Sequence, residues 1–177
     1  LLALVSAGPN GVDQVAVSYE GEVSEAKARA QLEALLRATG WQATGIEVDS
    51  QRLAPNTPKM TSVSFTAPAV VPYPEGTLPV APFVETYRDL ANLVLVFQMN
   101  RPFRLIGPAS YEDRHLEIRL QQGTGIHRYD VRVRDPRFGA LHLPDVALSG
   151  TGGGTEQNGR QAPHPGLVIA LALGAAA

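Results

Sequence analysis

The sequence contains no cysteine, which excludes disulfide bonds, thiolate zinc sites, iron–sulfur clusters and a cysteine nucleophile. Charged residues make up only 18% of the 177 residues, and the formal net charge is −2, so no global positive field recruits nucleic acid. The aromatic strand signature of RNA-recognition domains is also missing. There is no G-x-S-x-G nucleophile elbow, no phosphate loop and no H-E-x-x-H metal motif. The sequence therefore identifies no catalytic residue, no metal site and no cofactor.

The first eleven residues resemble the end of a signal peptide. Residues 1–7 are apolar apart from one serine, and Val5 and Ala7 supply small side chains at the two positions that signal peptidase reads. We therefore interpret residues 1–11 as a signal-peptide remnant, which implies export. The alternative is a buried first strand.

The C-terminal residues also look separate from a domain core. Residues 149–165 are rich in glycine and have almost no apolar side chain to bury, which predicts a flexible linker. Residues 166–177 have no polar side chain, but twelve residues of helix cover only about 18 Å of a hydrocarbon core that is about 30 Å thick. We interpret this run as a truncated membrane anchor. The alternative is a short helix that folds back onto the domain.

Residues 12–148 between these flanks have the patterns of one α+β domain. Ser24 is a good N-cap, and Gly40 supplies the left-handed residue that ends a helix. Between them, apolar residues repeat at spacings of three and four, among them Leu32, Leu35 and Leu36. The pattern as a whole predicts strands at 14–19, 43–49, 61–67 and 93–99, with helices at 24–39 and 80–91. This β-α-β-β-α-β order is typical of the ferredoxin-like arrangement. Residues 93–99 are also compatible with a continued helix, but their β-branched content favours a strand.

A hairpin extends this predicted core. Residues 115–120 and 126–134 alternate strictly between apolar and polar side chains, and a glycine-containing loop joins them. The polar side of the hairpin carries the arginines that are our candidate binding residues: Arg119, Arg128, Arg132 and Arg134. Arginine forks match phosphate, polysaccharide and acidic protein partners. Carboxylates are interleaved with these arginines, so cross-strand ion pairs on a solvated face are the alternative.

The histidines are the other candidates for chemistry. His115 and His127 lie on the two arms of the predicted hairpin, where Asp113 or Asp130 could complete a site. The third histidine of the domain is His142. Their spacing matches no metal-ligand motif. We therefore expect surface histidines rather than a metal or proton-transfer site.

Three functions are compatible with these patterns. The favoured one is an exported, membrane-tethered domain of a cell envelope that acts by binding or scaffolding, with an envelope protein or an anionic polymer as partner. The second is a small envelope hydrolase that uses a carboxylate or histidine. The third is a cytosolic α+β domain whose apolar ends belong to its core, as a subunit of an oligomer.

Overall fold

The computed structural model describes residues 1–8, 11–21, 23–52, 59–68, 70, 76–99, 104–141, 143 and 147–149. They form a mixed α and β structure with a large β-sheet, in agreement with the predicted α+β class. In chain order the elements are β1 (Leu2–Ala7), β2 (Val12–Glu20), α1 (Glu25–Thr39), β3 (Thr44–Arg52), β4 (Lys59–Pro68), β5 (Thr77–Pro79), α2 (Ala81–Thr86), β6 (Asn92–Met99), β7 (Arg104–Ile106), β8 (Ser110–Glu112), β9 (Leu116–Gly123), β10 (Ile126–Val133) and β11 (Ala147–Ser149).

Eight strands form the main sheet in the order β3-β4-β2-β1-β6-β10-β9-β8. All neighbours in this sheet are antiparallel except β1 and β6, which run parallel. The strands β11, β7 and β5 form a second, smaller sheet. Chain neighbours such as β9 and β10 pair locally, whereas the β1–β6 pair joins residues about ninety positions apart, such as Val5 and Phe97.

Helix α1 has the end signals that the sequence predicts. The Ser24 Oγ atom accepts a hydrogen bond from the backbone N–H of Lys27 at 3.2 Å, which satisfies one of the free donors of the first turn. Gly40 adopts the left-handed conformation with φ 73°, and its N–H donates to the carbonyl of Leu36. The apolar stripe of the helix buries Leu32 and Leu35 against the sheet.

One face of the main sheet is covered. Phe65, Val15, Val5, Phe97 and His127 are cross-strand neighbours in one row over five strands, and all five side chains are buried. The covering layer consists of α1 and α2 over one part of the sheet and the small β11-β7-β5 sheet over another. Their buried side chains join the same core, and they include Leu35, Phe83, Leu78 and Leu105.

The N-terminal segment belongs to this core. Strand β1 pairs with β2 on one side and with β6 on the other, and Ala3, Val5 and Ala7 are at most 1% exposed. Such two-sided pairing satisfies the backbone groups of the segment inside the sheet. Residues 2–7 therefore adopt the alternative given for the N-terminal segment, a buried first strand, and β1 belongs to the same sheet as the elements that follow Val12.

The position of β1 also changes the predicted topology. The elements β2, α1, β3, β4, α2 and β6 follow each other in the predicted β-α-β-β-α-β order. However, β1 lies between β2 and β6, and β10, β9 and β8 extend the same sheet beyond β6. Helix α2 is also shorter than predicted and ends at Thr86. Residues 93–99 are a strand, as their β-branched content indicates.

The predicted C-terminal segments lie almost entirely outside the described residues. Ser149, the first residue of the predicted linker, ends β11 and pairs with Arg104 of β7. Residues 150–177, which include the apolar run, are outside the described part of the chain.

Candidate functional site

The second face of the main sheet is open. Among the residues that the structure describes, no helix or strand packs against it, because both helices and the small sheet lie on the other face. Side chains alternate between the two faces of a strand, so the cross-strand register identifies the outward residues. One outward row runs from β3 to β8 as Asp49, Ser62, Ser18, Leu2, Val94, Asp130, Arg119 and Ser110.

This open face has an apolar centre. The outward residues of the two middle strands, β1 and β6, include Leu2, Leu4, Val94 and Val96, and all four are only half-buried. Ile126 of β10 adds an apolar side chain that is 47% exposed. Contiguous apolar patches on a surface are a feature of interaction sites. Sequence reasoning missed this centre, since it assigned Leu2 and Leu4 to a leader segment.

The two halves of the open face differ in charge. We call β3, β4 and β2 the acidic half, because Glu47 and Asp49 are the outward charges described there, and both are exposed. We call β10, β9 and β8 the arginine half. It carries all four predicted binding residues, and the carboxylates among them are Glu112, Glu117 and Asp130.

Three of the four predicted arginines are held by these carboxylates. Arg119 donates to Glu117 at 2.6 Å, and Arg128 donates to Asp130 at 2.7 Å. Arg134 bridges Glu112 at 2.7 Å and Glu117 at 2.9 Å, and so it links β8 to β9. The hydrogen bond from Arg119, together with that from Arg134, holds the pKa of Glu117 below its ordinary value. Arg119 and Arg128 therefore pair with a carboxylate two residues away on their own strand, and only Arg134 makes cross-strand ion pairs.

Arg132 is different. It is exposed, and it has no ion pair or hydrogen bond with any residue in the described ranges. It lies beside a shallow depression of about 260 Å³ on the open face, whose lining also includes Val94, Glu117, Arg119 and Asp130. An unpaired arginine fork is available to an anionic group of a partner. Arg132 is therefore the best candidate among the four for direct contact with a ligand.

The histidines are not brought together. His115 lies next to the end of β10 that carries Arg134, whereas His127 lies near its start, about 24 Å away at the usual rise per residue. His115 Nε2 accepts a hydrogen bond from Arg114, and its Nδ1 lies 3.8 Å from Asp135. His142 falls outside the described residues. Within the described ranges, no group of three His, Asp or Glu side chains is placed to hold a metal ion.

The expectation that His127 lies on the surface is wrong. This residue is 6% exposed and points to the covered face with Tyr129, Val131 and Val133. Neither of its ring nitrogens has a hydrogen-bond partner among the described residues. Burial lowers the pKa of His127 below its ordinary value of 6.5, because the charged form loses its hydration. The residue is therefore part of the core.

The two carboxylates proposed as partners of a histidine site have other roles. Asp113 organises the turn between β8 and β9, where its Oδ1 atom accepts from the N–H groups of His115 and Leu116. Its Oδ2 atom accepts from the Tyr111 hydroxyl at 3.0 Å. Asp130 accepts from Arg128 and Gln121 on the open face. Asp113 connects β8 to β9, and the bond from Gln121 to Asp130 connects β9 to β10. No carboxylate in the described part of the chain is hydrogen-bonded to His127.

Comparison with known proteins does not name a family. The sequence matches no protein-family model, and no curated protein is significantly similar to it. Within the described ranges, no helix combines the length and the apolar character needed to cross a bilayer.

We expect His127 to make the stability of the fold depend on pH. The unfolded chain takes up a proton near pH 6.5, whereas the buried imidazole resists protonation, so stability present above pH 6.5 is lost as the pH falls toward the lowered folded-state pKa. His127→Leu should remove this loss, because it leaves no titratable group at that position. Urea unfolding at pH 7.5 and at pH 5.0 measures the difference for each chain.

The matched control for this measurement is His115→Asn, which changes a half-buried histidine at the other end of β10. It should leave most of the pH dependence in place. An equal loss of stability between the two pH values in the wild-type and His127→Leu chains would contradict the assignment.

Proposed function

We propose that this chain is an exported, membrane-tethered domain of a cell envelope that acts by binding or scaffolding, and that its binding surface is the open face of the eight-stranded sheet. The observation that carries the proposal is Arg132, which pairs with no described residue, beside an apolar centre that no described helix or strand covers. Antiparallel sheets commonly leave one face to water, and that face is then mainly polar. Here Leu2, Leu4, Val94 and Val96 interrupt the polar surface.

Under this proposal the four arginines do not contribute equally. Arg119 and Arg128 pair with carboxylates of their own strands, and Arg134 links β8 to β9. Arg132 contacts the acidic partner, which is an envelope protein or an anionic polymer. Ion pairs at the surface contribute little to stability, so their main effect here is to orient the arginine half.

The export and tether part of the proposal depends on the C-terminal sequence alone, since residues 2–7 form β1. The glycine-rich run 149–165 would be the tether, and the apolar run 166–177 would contact the membrane. We also propose the ferredoxin-like arrangement only for β2, α1, β3, β4, α2 and β6, and the spatial order β3-β4-β2 supports it.

The hydrolase alternative has weaker support. A general acid needs a carboxyl whose pKa is raised toward neutrality. Among the described carboxylates, the pKa of Asp135 is lowered to about 2 by hydrogen bonds from Arg137, and that of Glu117 is lowered as well. The burial of His127 keeps it from a substrate at the surface. The oligomer-subunit alternative is favoured by one observation, the place of β1 in the core.

Arg132→Gln should weaken binding of an anionic polymer to the open face. With poly-L-glutamate at low salt, we expect the dissociation constant to rise about two- to fivefold, as for the loss of one exposed charge contact. Added salt should reduce the difference, because it screens exposed charges. Isothermal calorimetry or fluorescence anisotropy measures it.

Arg29→Gln is the matched control, since it removes one exposed arginine from α1 on the covered side of the sheet. This control should leave the dissociation constant unchanged. If both variants weaken binding equally, or if the wild-type chain does not bind the polymer at low salt while it is monomeric, the arginine half is not an anion-binding surface.

The tether predicts that the full chain binds phosphatidylcholine vesicles through residues 166–177. Co-sedimentation with vesicles should be lost when the chain ends at residue 165, because the apolar run supplies the contact with lipid. Replacing Leu167, Ile169 and Leu171 by serine should have the same effect without changing the length. Equal sedimentation of all three chains would contradict the membrane role of this run.

A further inference from the structure

We propose that the acidic partner of the arginine half is a second copy of this chain, packed face to face through the open faces of the two sheets. This inference rests on the proposed function, because it names the partner of the same surface.

The apolar centre lies at the middle of the sheet. Strands β1 and β6 are fourth and fifth in the order of eight, so three strands flank them on each side. A two-fold axis parallel to the strands, placed between β1 and β6 and midway between two facing sheets, would bring β1 of each copy opposite β6 of the other. Leu2 and Leu4 would then face Val94 and Val96, which excludes water from the apolar centres of both copies.

The same axis places the acidic half of each copy opposite the arginine half of the other. Glu47 and Asp49 have no ion-pair partner within the described ranges, and neither does Arg132. In the row of outward residues that contains Asp49, Arg119 of one copy would face Ser62 of the other copy. Ser62 lies on the strand next to that of Asp49, one strand spacing of about 4.8 Å away. A two-fold axis perpendicular to the strands would instead put like halves together. Charge therefore selects the axis that runs along the strands.

The size of the face suits a stable dimer. Eight strands spaced by about 4.8 Å are about 38 Å wide, and β1, with six residues, is about 20 Å tall. The other strands of this sheet are longer than β1 except β8, which has three residues. The area of roughly 760 Å² is close to the ~800 Å² that each partner contributes to a standard interface. Face-to-face packing of two sheets about 10 Å apart is also a common arrangement, and it would give each sheet a second covered face.

Charge reversal in the full-length chain tests this arrangement. Arg119→Glu with Arg132→Glu places acidic groups opposite the acidic half, and Glu47→Lys with Asp49→Lys places basic groups opposite the arginine half. Sedimentation velocity over a range of concentrations should show a dimer for the wild-type chain. Each double variant alone should be monomeric, with a dissociation constant raised at least tenfold. An equal mixture of the two variants should form a heterodimer, because both contacts are then complementary.

The control is Arg29→Glu with Arg37→Glu on the exposed side of α1, which should leave the dimer intact. A wild-type chain that is monomeric at all concentrations overturns the inference; if it still binds poly-L-glutamate through Arg132, the proposed function stands without it. Association that persists in each double variant also overturns the inference, since it would then arise elsewhere, for example through residues 166–177. A mixture of the two double variants that stays monomeric overturns the inference as well.

Discussion

Strand β1 hydrogen-bonds to β2 on one side and to β6 on the other, and the remainder of the sheet is arranged around these two pairings. Without β1, no hydrogen-bonded strand pairing would connect β3, β4 and β2 to β6, β10, β9 and β8. The parallel pairing with β6 closes a loop of about ninety residues, whose entropic cost must be offset by burial. Val5 and Phe97, which are neighbours across this pair, supply part of that burial.

The same arrangement explains why the molecule has two unlike faces. Alternation along β1 and β6 sends Ala3, Val5, Leu95 and Phe97 into the core, and it leaves the residues between them on the open face. A sheet covered on one side normally has polar residues on the other. The apolar outward residues of the two middle strands depart from this rule, and the departure is the physical basis for assigning an interaction to that face.

Local features of this fold could be predicted from sequence because their signals are local. Ser24 and Gly40 define the ends of α1 through contacts within a few residues, and strict alternation predicts the strands β9 and β10.

The place of β1 could not be predicted. An apolar run of six residues is compatible with a leader segment and with a central strand, and nothing local specifies pairing with β6. The sequence predicted arginines on a polar face but not their individual ion pairs. Among the described residues, Arg134 pairs with two carboxylates and Arg132 pairs with none. His127 shares its parity with Val131 and Val133, so alternation alone would have placed it in the core.

Amide hydrogen exchange in β1 measures whether this strand joins the two parts of the sheet. If β1 joins the two parts of the sheet, the amides of residues 3–6 should exchange as slowly as those of β2 and β6, because they open only when the whole sheet unfolds. Edge strand β3 should exchange faster and serves as the internal reference. Exchange of the β1 amides at the rate of an unstructured peptide, with β2 and β6 still protected, would show that the sheet forms without β1 and would contradict this account.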